Sequence, residues 1–298
     1  MSTMLENILE ETQGEQGGVQ LSKEEFAAKK QTERDAVYAL GDQAALDVAS
    51  DSGKFQQYLD VQARFDRYSA TNALLVMAQR PTATRLGDFD HWKEQGCPVK
   101  REETGIFIIE PGKQYTRRDG SIGQGYEVKR VFDIAQVDVS KAKTTPARSE
   151  PSEREKLLAL IKRSPFGIDI VDTVPGNIGA QFHPESKTIS VQKGMSFGEN
   201  FQSLAQTIAY GALTTAPNPP TDPHFSAACV AYMLCKRHGV EADNFKFSHA
   251  PHVFAGMEAS EVKAELTKTR DVATDLQGRM ARTLEPQQNK GVRTDAAR

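Results

Sequence analysis

The stretch FQSLAQTIAYGAL, residues 201–213, carries the strongest pattern in this chain. Its apolar residues recur three and four positions apart, which is the spacing that builds one apolar face on a helix. Upstream, KTISVQ at residues 187–192 alternates Ile189 and Val191 on one side and predicts a strand. Downstream, SAACVAYMLC at residues 226–235 is apolar enough for a buried helix. The sequence therefore predicts a strand followed by two packed helices.

This order of elements resembles the core of the zincin metallopeptidases, where the first helix carries the motif H-E-x-x-H. The motif places two imidazoles one turn apart as zinc ligands, with a glutamate between them as general base. The matching positions here are Gln206, Thr207 and Tyr210, and the acidic third ligand of the second helix is matched by Ser226 or a neighbour. None of these side chains is a good zinc ligand or base. We therefore expect a degenerate zincin-like domain with no metal, no cofactor and no catalytic residue.

Two other groups of residues, a histidine pair and two cysteines, are weaker candidates for a metal site or a nucleophile. His249 and His252 have a ligand-like spacing, but Pro251 is expected to interrupt a helix between them, and no acidic residue lies beside the pair. Cys229 and Cys235 fall in the apolar run, where a thiol behaves as a small hydrophobic group. A metal-dependent peptidase with an unorthodox site, or a hydrolase with another nucleophile, stays open as an alternative.

Composition limits the class of protein. The chain has 298 residues, which is enough for two domains, and 38% hydrophobic with 26% charged residues suits a globular protein in water. No apolar run reaches the ~18 residues of a membrane helix, and the acidic N-terminus lacks the features of a signal peptide. Three scattered cysteines indicate a reduced compartment. We expect a cytoplasmic protein with no membrane partner.

Shifts in composition predict the organisation of the chain. The first 53 residues carry a net charge of −7, although the whole chain carries only −3. KAKTTPARSEPSER, residues 141–154, is polar and proline-containing and predicts a linker. The predicted segments are an acidic flexible segment (1–35), a DNA-binding-like domain (36–140), the linker (141–154), the zincin-like domain (155–256), an amphipathic helix (257–285) and a tail (286–298).

The first domain has a distinctive series of short motifs. YSATNALLVMAQRP at residues 68–81 leads to FDHW at 89–92, to GCPVK at 96–100 and to the strand signal IFIIEP at 106–111. Together these resemble the N-terminal single-stranded DNA-binding domain of ArdC-type antirestriction proteins, over about residues 50–138. That family usually carries a zincin-like domain C-terminal to it, which is the order in this chain.

The resemblance implies an α+β fold, in which a domain of helices and an antiparallel sheet precedes a mainly helical zincin-like domain. It also implies a non-catalytic single-stranded DNA-binding protein of a plasmid, conjugative element or phage, acting in antirestriction or DNA transfer. The expected partners are single-stranded DNA and DNA-processing proteins of the host or the element.

Residue chemistry supports strand binding independently, because single strands are held by aromatic platforms and cations, with each stacked base worth ~1–3 kcal/mol. Residues 111–125 read as a hairpin loop between strands at 105–110 and 126–134, and we expect it to line one groove with Arg64, Arg67 and Tyr68. The candidate DNA-binding residues are Arg64, Arg67, Tyr68, Asn72, Trp92, Lys100, Arg101, Tyr115, Arg117, Arg118, Tyr126, Lys129 and Arg130.

Each of these assignments has a structural alternative. Trp92 is the single tryptophan of the chain and is equally suited to anchor a core, while Tyr68 and Asn72 are suited to pack a helix. The loop arginines also fit an ordinary solvated hairpin tip. A third kind of function is structural, with the amphipathic helix at 257–285 serving self-association, although packing against its own chain explains the same pattern.

Overall fold

The computed structural model describes residues 22–140, 142 and 150–284. The chain is mixed α and β, and the predicted α+β class is confirmed. It divides into two units, of which the first comprises Met1–Ala147 and Lys246–Thr267, and the second Arg148–Phe245 and Lys268–Arg298. Most of the predicted acidic segment (1–21), residues 141 and 143–149 of the predicted linker, and the predicted tail (286–298) lie outside the described residues.

Among the described residues, the first elements of this unit are helices α1 (Lys23–Ser50), α2 (Ser52–Arg64) and α3 (Ala70–Gln79). Helix α1 begins well inside the segment that the sequence predicts to be flexible as far as residue 35. The start is fixed by a capping box, in which Ser22 accepts from the backbone N–H of Glu25 and the Glu25 carboxylate accepts from that of Ser22. Asp51 caps α2 in a similar way, through the N–H groups of Gly53 and Lys54.

A three-stranded antiparallel sheet follows, with strand β1 (Leu86–Gly87), helix α4 (Phe89–Glu94), and strands β2 (Ile106–Thr116) and β3 (Ile122–Asp133). Its strand order is β1-β3-β2. Phe107 packs on Val37 of α1 and Leu75 of α3, so one face of the sheet lies on these helices. The hairpin is longer than predicted, because residues 111–116 and 122–125 continue the strands.

The second unit holds helix α5 (Glu153–Lys162), strands β4 (Gly167–Val171), β5 (Ala180–His183) and β6 (Thr188–Gln192), and helices α6 (Phe197–Thr214) and α7 (Pro223–His238). The strand order is β4-β6-β5, with β4 parallel and β5 antiparallel to β6. Strand β6 and helices α6 and α7 lie where the sequence predicts them. Gly211 lets α6 approach the sheet, since a Cβ there would lie 2.7 Å from a ring carbon of Phe166.

The chain then returns to the first unit with helix α8 (Ala250–Val253). The rings of Phe247 and Phe254 lie 5.7 and 5.6 Å from that of Phe55 in α2, which explains why this segment belongs to the first unit although the sequence places it in the domain at 155–256. Pro251 was expected to interrupt a helix, but it occupies the first turn of α8, where a missing N–H costs no hydrogen bond.

The last described element is helix α9 (Ala259–Leu284), at the position predicted for the amphipathic helix. Its apolar stripe, which includes Val262, Leu266, Leu276 and Met280, is already buried within the chain. In the described part of the protein, no helix is both long enough and apolar enough to span a bilayer.

Candidate nucleic-acid interface and degenerate metal site

The outer part of the β2–β3 hairpin, residues 111–126, forms a two-stranded ribbon that we call the arm. Its side chains are mostly exposed on both faces, including Tyr115 (54% exposed), Tyr126 (47%) and Ile122 (69%). A β-bulge interrupts the ladder between Pro111 and Gln114, so that two residues of β2 face one of β3. The sequence missed the arm because its glycines and charged residues are typical of loops.

The two tyrosines of the arm lie on opposite faces. Residues directly paired across an antiparallel ladder share a face, and neighbours along a strand alternate. Tyr115 pairs with Gly123 and Tyr126 pairs with Pro111, and positions 123 and 126 of β3 are an odd number of residues apart. Tyr126 is therefore on the face of Val128, which packs toward α1 and α3 at the base of the hairpin, and Tyr115 is on the other.

The Tyr115 ring lies flat on the backbone of β3 at Gly123. A Cβ placed on Gly123 would lie 2.6, 2.9 and 3.0 Å from three carbons of that ring. Because Cβ points away from the sheet, similar distances to three ring atoms mean that a ring face covers this position. One π-face of Tyr115 is thus held against the ribbon. Gly123 makes this possible because it has no Cβ, and we call this contact position the seat of Tyr115.

The arm carries a net positive charge. Arg117 and Arg118 lie in the turn that joins the strands, and Lys113 lies in the bulge, against one acidic residue, Asp119. The turn is held by the bond from Arg117 N–H to Ser121 O at 2.8 Å, and Gly120 supplies the positive φ of +81°. Side-chain and backbone hydrogen bonds from Ser121 lower the pKa of Asp119, so this carboxylate stays ionised at neutral pH.

At the base of the hairpin the predicted cations are already paired. Lys129 lies 2.8 Å from the Glu110 carboxylate, and its pKa is raised mainly by that hydrogen bond. Arg130 lies 3.2 Å from Glu33 of α1, and its guanidinium stacks 4.9 Å above the Phe107 ring. Both side chains are therefore in contact with an acidic partner, whereas the Arg117 guanidinium of the arm makes a long, 3.4 Å hydrogen bond to the Ser121 hydroxyl.

The amide of Asn72 is occupied by the sheet. Its side chain donates to Ile109 O and accepts from Ile109 N–H, both at 2.8 Å. Gln79, two turns along α3, makes the same pair of bonds to Phe107, at 2.9 and 2.8 Å. The two amides hydrogen-bond the backbone N–H and C=O groups on the outer edge of β2, as a neighbouring strand would. They therefore protect an edge that would otherwise be open. Sequence reasoning missed Gln79 and assigned Asn72 to DNA.

Trp92 is a core residue. It is 1% exposed, packs with Cys97 and Val137, and donates from Nε1 to Phe132 O at 2.8 Å. A base has no access to this ring, so its predicted stacking role is incompatible with the fold. The neighbouring Lys100 is exposed and donates to Ala135 O at 2.9 Å, while Arg101 is exposed.

The other predicted group lies at the junction of α2 and α3. Arg64 donates to Pro81 O, Arg67 is exposed, and the Tyr68 ring stacks on Phe65 at 5.5 Å. Burial raises the pKa of Tyr68, with contributions from the Glu110 and Asp88 carboxylates, so its surroundings are acidic. Glu110 is six to seven residues from the tip, which is about 20 Å of strand. The structure does not bring Tyr68 together with the arginines of the tip.

In the second unit, the four degenerate metal-site positions lie where α6 and α7 pack. Thr207 is buried and its hydroxyl donates to Ala180 O of β5 through a long, 3.4 Å bond. The Tyr210 ring stacks on His224 at 4.2 Å, with 21° between the planes. Ser226 is buried in α7, and Gln206 is half-buried. At these positions the side chains make hydrogen bonds and packing contacts within the protein, where the zincins have metal ligands.

The thiols are unsuited to nucleophilic chemistry. Burial raises the pKa of Cys229 far above its ordinary value, helped by the Asp222 carboxylate, and burial raises the pKa of Cys235 to about 12. Both thiols are therefore protonated at neutral pH, and a protonated thiol is a poor nucleophile.

One contact that the sequence did not reveal joins β5 to β6. His183 Nε2 and Ser190 Oγ lie 2.9 Å apart. A serine nucleophile also needs a group that orients the histidine and donors for the oxyanion. Among the described residues Ser190 is the hydrogen-bond partner of His183, and both side chains lie half-buried on a sheet. The pair is explained as a cross-strand contact.

Comparisons with known proteins place the fold. No family profile matches the chain, and no curated protein matches it. Two crystal structures of the antirestriction protein ArdC from the R388 plasmid do. The metal-free one has 17% identity and a TM-score of 0.48, over 72% of this chain and 86% of that one. The Mn(II)-bound one has 16% identity and a TM-score of 0.50, over 72% and 85%. The chain has an ArdC-like fold, and the predicted resemblance is confirmed at that level.

The manganese in one of these neighbours prompts a test of this chain's own donors. The residues predicted at the metal site are an amide, two hydroxyls and a phenol, whereas Mn²⁺ favours carboxylate ligands. Thr207 and Tyr210 are held by the contacts above. Within the described residues, no three His, Cys, Asp or Glu side chains are grouped to hold a metal ion. The residues present do not fit a metal.

Proposed function

We propose that this protein binds single-stranded DNA through the arm of its first unit. The observation that carries the proposal is the arm itself, a ribbon exposed on both faces with three cations and two exposed tyrosines. Aromatic platforms joined to positive charge are what single-strand binding requires. The proposed contacts are Tyr115, Tyr126, Lys113, Arg117 and Arg118, with Arg67, Lys100 and Arg101 as further exposed cations outside the arm.

The biological role that we propose is antirestriction or DNA transfer on behalf of a mobile genetic element, in the cytoplasm. The fold is similar to that of the antirestriction protein ArdC from the R388 plasmid, and this supports the proposal. Sheltering a strand by occupancy requires binding and no chemistry. Further partners would be DNA-processing proteins of the host or of the element.

The second unit is proposed to be non-catalytic. The supporting observation is the chemistry at Gln206, Thr207, Tyr210 and Ser226, none of which supplies a metal ligand of the expected kind or a carboxylate base. We expect no stoichiometric zinc by elemental analysis after zinc is added to the purified protein, and no cleavage of casein or of a DNA-binding protein. One bound zinc per chain would overturn this part of the proposal.

The DNA proposal is tested by fluorescence anisotropy with labelled oligothymidylate at several salt concentrations. In single strands each phosphate contact contributes about 0.7 to the slope of log affinity against log salt. Arg117→Ala/Arg118→Ala should therefore weaken binding and reduce this slope by about 1.4.

The matched control is Lys129→Ala/Arg130→Ala, which removes the same charge from the base of the hairpin, where both cations are paired. We expect the control to change the slope much less. An unchanged affinity and slope for the tip variant would remove the tip from the site, and no binding by the unmodified protein would end the proposal.

A further inference from the structure

The two tyrosines of the arm lie on opposite faces and at different heights, with Tyr115 nearer the turn and Tyr126 at the base, and two arginines lie at the end of the ribbon. We propose that one single strand bends around the arm, with a base stacked on Tyr115 on one face and another base stacked on Tyr126 on the opposite face. This inference rests on the proposed single-strand binding and specifies the path of the strand.

The two rings are suited to stacking. Tyr115 has one π-face held against Gly123, so its other face is directed outward, and the side chain is 54% exposed. Tyr126 lies on the other face, where it pairs with Pro111 across the ladder, and its side chain is 47% exposed. A tyrosine ring positioned on a β-strand can stack on any base, because every base has a π-face. A strand held on one face alone would leave one of the two rings unused.

The charges indicate the route between the faces. Arg117 and Arg118 lie in the turn at the end of the arm, and Lys113 lies in the bulge near its base. A strand that crosses from one face to the other around the turn brings its phosphates past Arg117 and Arg118. Nearer the base, Glu110 and Glu127 share one face with Lys129, which is paired with Glu110, so this group carries a net negative charge and does not attract a phosphate backbone.

A wedge at the end of a duplex is the competing geometry for an arm of this shape. Side chains that separate stacked bases are apolar or aromatic, because they replace the stacking that is lost. The turn of the arm consists of Arg117, Arg118, Asp119, Gly120 and Ser121, and it contains neither kind of side chain. Its composition therefore favours contact with a phosphate backbone over insertion between bases.

The test uses two labelled oligothymidylates, of about four and about sixteen nucleotides, at the two ends of known site sizes. Tyr115→Ser, Tyr126→Ser and the double variant are compared with the unmodified full chain. With the long oligomer, each single variant should lose about tenfold in affinity and the double variant about a hundredfold, since each stack is lost separately. The short oligomer reaches one face at a time, so at least one single variant should bind it within about twofold of the unmodified protein.

Three control variants separate stacking from other causes. Tyr115→Phe and Tyr126→Phe keep the rings and should retain binding. Ile122→Ser removes an exposed apolar side chain from the face of Tyr126 and should have little effect, as should Phe26→Ser, which removes an exposed aromatic ring outside the arm. A loss by Ile122→Ser equal to that of Tyr126→Ser would overturn the stacking on that face.

The outcomes distinguish this inference from the proposed function. If the unmodified protein does not bind the long oligomer, the proposed function fails. If it binds but only one tyrosine matters for the long oligomer, the function stands and the path around the arm is overturned. A forked duplex that binds at least about tenfold more tightly than the long oligomer would establish the wedge instead.

Discussion

The arm of the first unit and the degenerate site of the second differ in how they use polar and aromatic side chains. At the degenerate site the Thr207 hydroxyl is bonded to backbone and the Tyr210 ring is stacked on His224. In the arm, Tyr115 and Tyr126 each leave about half of the side chain exposed, and two arginines lie at an open turn. The named groups of the degenerate site are used in internal contacts, whereas the two tyrosines of the arm stay about half exposed.

This difference separates residues that look alike in the sequence. Tyr210 is half-buried and stacked on His224, whereas Tyr115 is 54% exposed. The base of the hairpin resembles the degenerate site in this respect, because Asn72 and Trp92 are satisfied by backbone groups. Substitutions in both regions test whether this difference in exposure and bonding is real.

The largest effect is expected from restoring a carboxylate at the degenerate site. Thr207→Glu places an unpaired charge at a buried position beside a carbonyl oxygen and should cost about 3 kcal/mol of stability. Gln206→Glu, one residue away and half-buried, is the matched control and should cost well under about 1 kcal/mol. Burial raises the pKa of the new glutamate, so the Thr207→Glu deficit should shrink as the pH falls. Urea unfolding followed by circular dichroism measures both, and equal losses would show that the site is open.

The second effect concerns Asn72. Asn72→Ala leaves the N–H and C=O of Ile109 without their partner and should cost about 2 kcal/mol. Asn72→Asp keeps the acceptor for the N–H and loses the donor, so its cost should be intermediate near neutral pH. Trp92 is the only tryptophan and lies in the first unit, so its fluorescence reports this unfolding. Unchanged protection of the Ile109 amide from hydrogen exchange in Asn72→Ala would contradict the edge-covering role.

The third effect is a dependence on pH through Asp133. Burial on its own would raise the pKa of this carboxyl, but the N–H groups of Arg85, Thr84 and Ala135 donate to it and together hold the pKa below its ordinary 3.8. A lowered folded-state pKa stabilises the protein above the unfolded-state value, and this stability is lost as the pH falls through the folded-state value. We expect the first unit to lose stability below about pH 4. Asp133→Asn should be less stable at neutral pH and should show a shallower acid slope; an identical slope would exclude this carboxyl.

The smallest effect is expected in the arm. Gly123→Ala places a Cβ 2.6 Å from a carbon of the Tyr115 ring, so the ring must move outward by about 1 Å. The change should lower oligothymidylate affinity by part of the ~1–3 kcal/mol that one stack is worth. The fold should be unaffected, because the arm carries no core residue there. Gly120→Ala, at a positive φ in the turn, is a comparison that strains the turn and leaves the seat of Tyr115 intact. If Gly123→Ala binds the oligomer as tightly as the unmodified protein, the seat has no role in binding.

Much of the fold follows from periodicity. The alternation at residues 188–192 and the three- and four-residue spacing at 201–213 report one buried face each, which is why β6 and α6 lie at their predicted positions. The arm has no buried face and therefore no such signal. Its strands are held by ladder hydrogen bonds, which any sequence with suitable turn residues can make.

Two features of the candidate site were beyond reach of the sequence for definite reasons. The bulge after Pro111 changes the alternation, so counting by twos from Ile109 places Tyr115 on the wrong face. Trp92 and Asn72 suit either a core or a DNA surface by residue type, and only their hydrogen-bond partners decide between the two. The positive charge of Arg117 and Arg118 could be predicted from the sequence, because it depends on residue type and not on the exact position of the turn.

The open edges of the arm also bear on how the protein avoids aggregation. Nearer the helices, the amides of Asn72 and Gln79 cover the edge of β2, but within the described residues neither edge of the arm pairs with another strand. Unpaired edges are templates for joining a second copy, and natural proteins defend them with bulges and charged side chains. The bulge at Lys113 and the mutual repulsion of tip arginines provide that defence here. Neutralising the tip is therefore expected to make the purified protein more prone to self-assembly, and its solubility would show it.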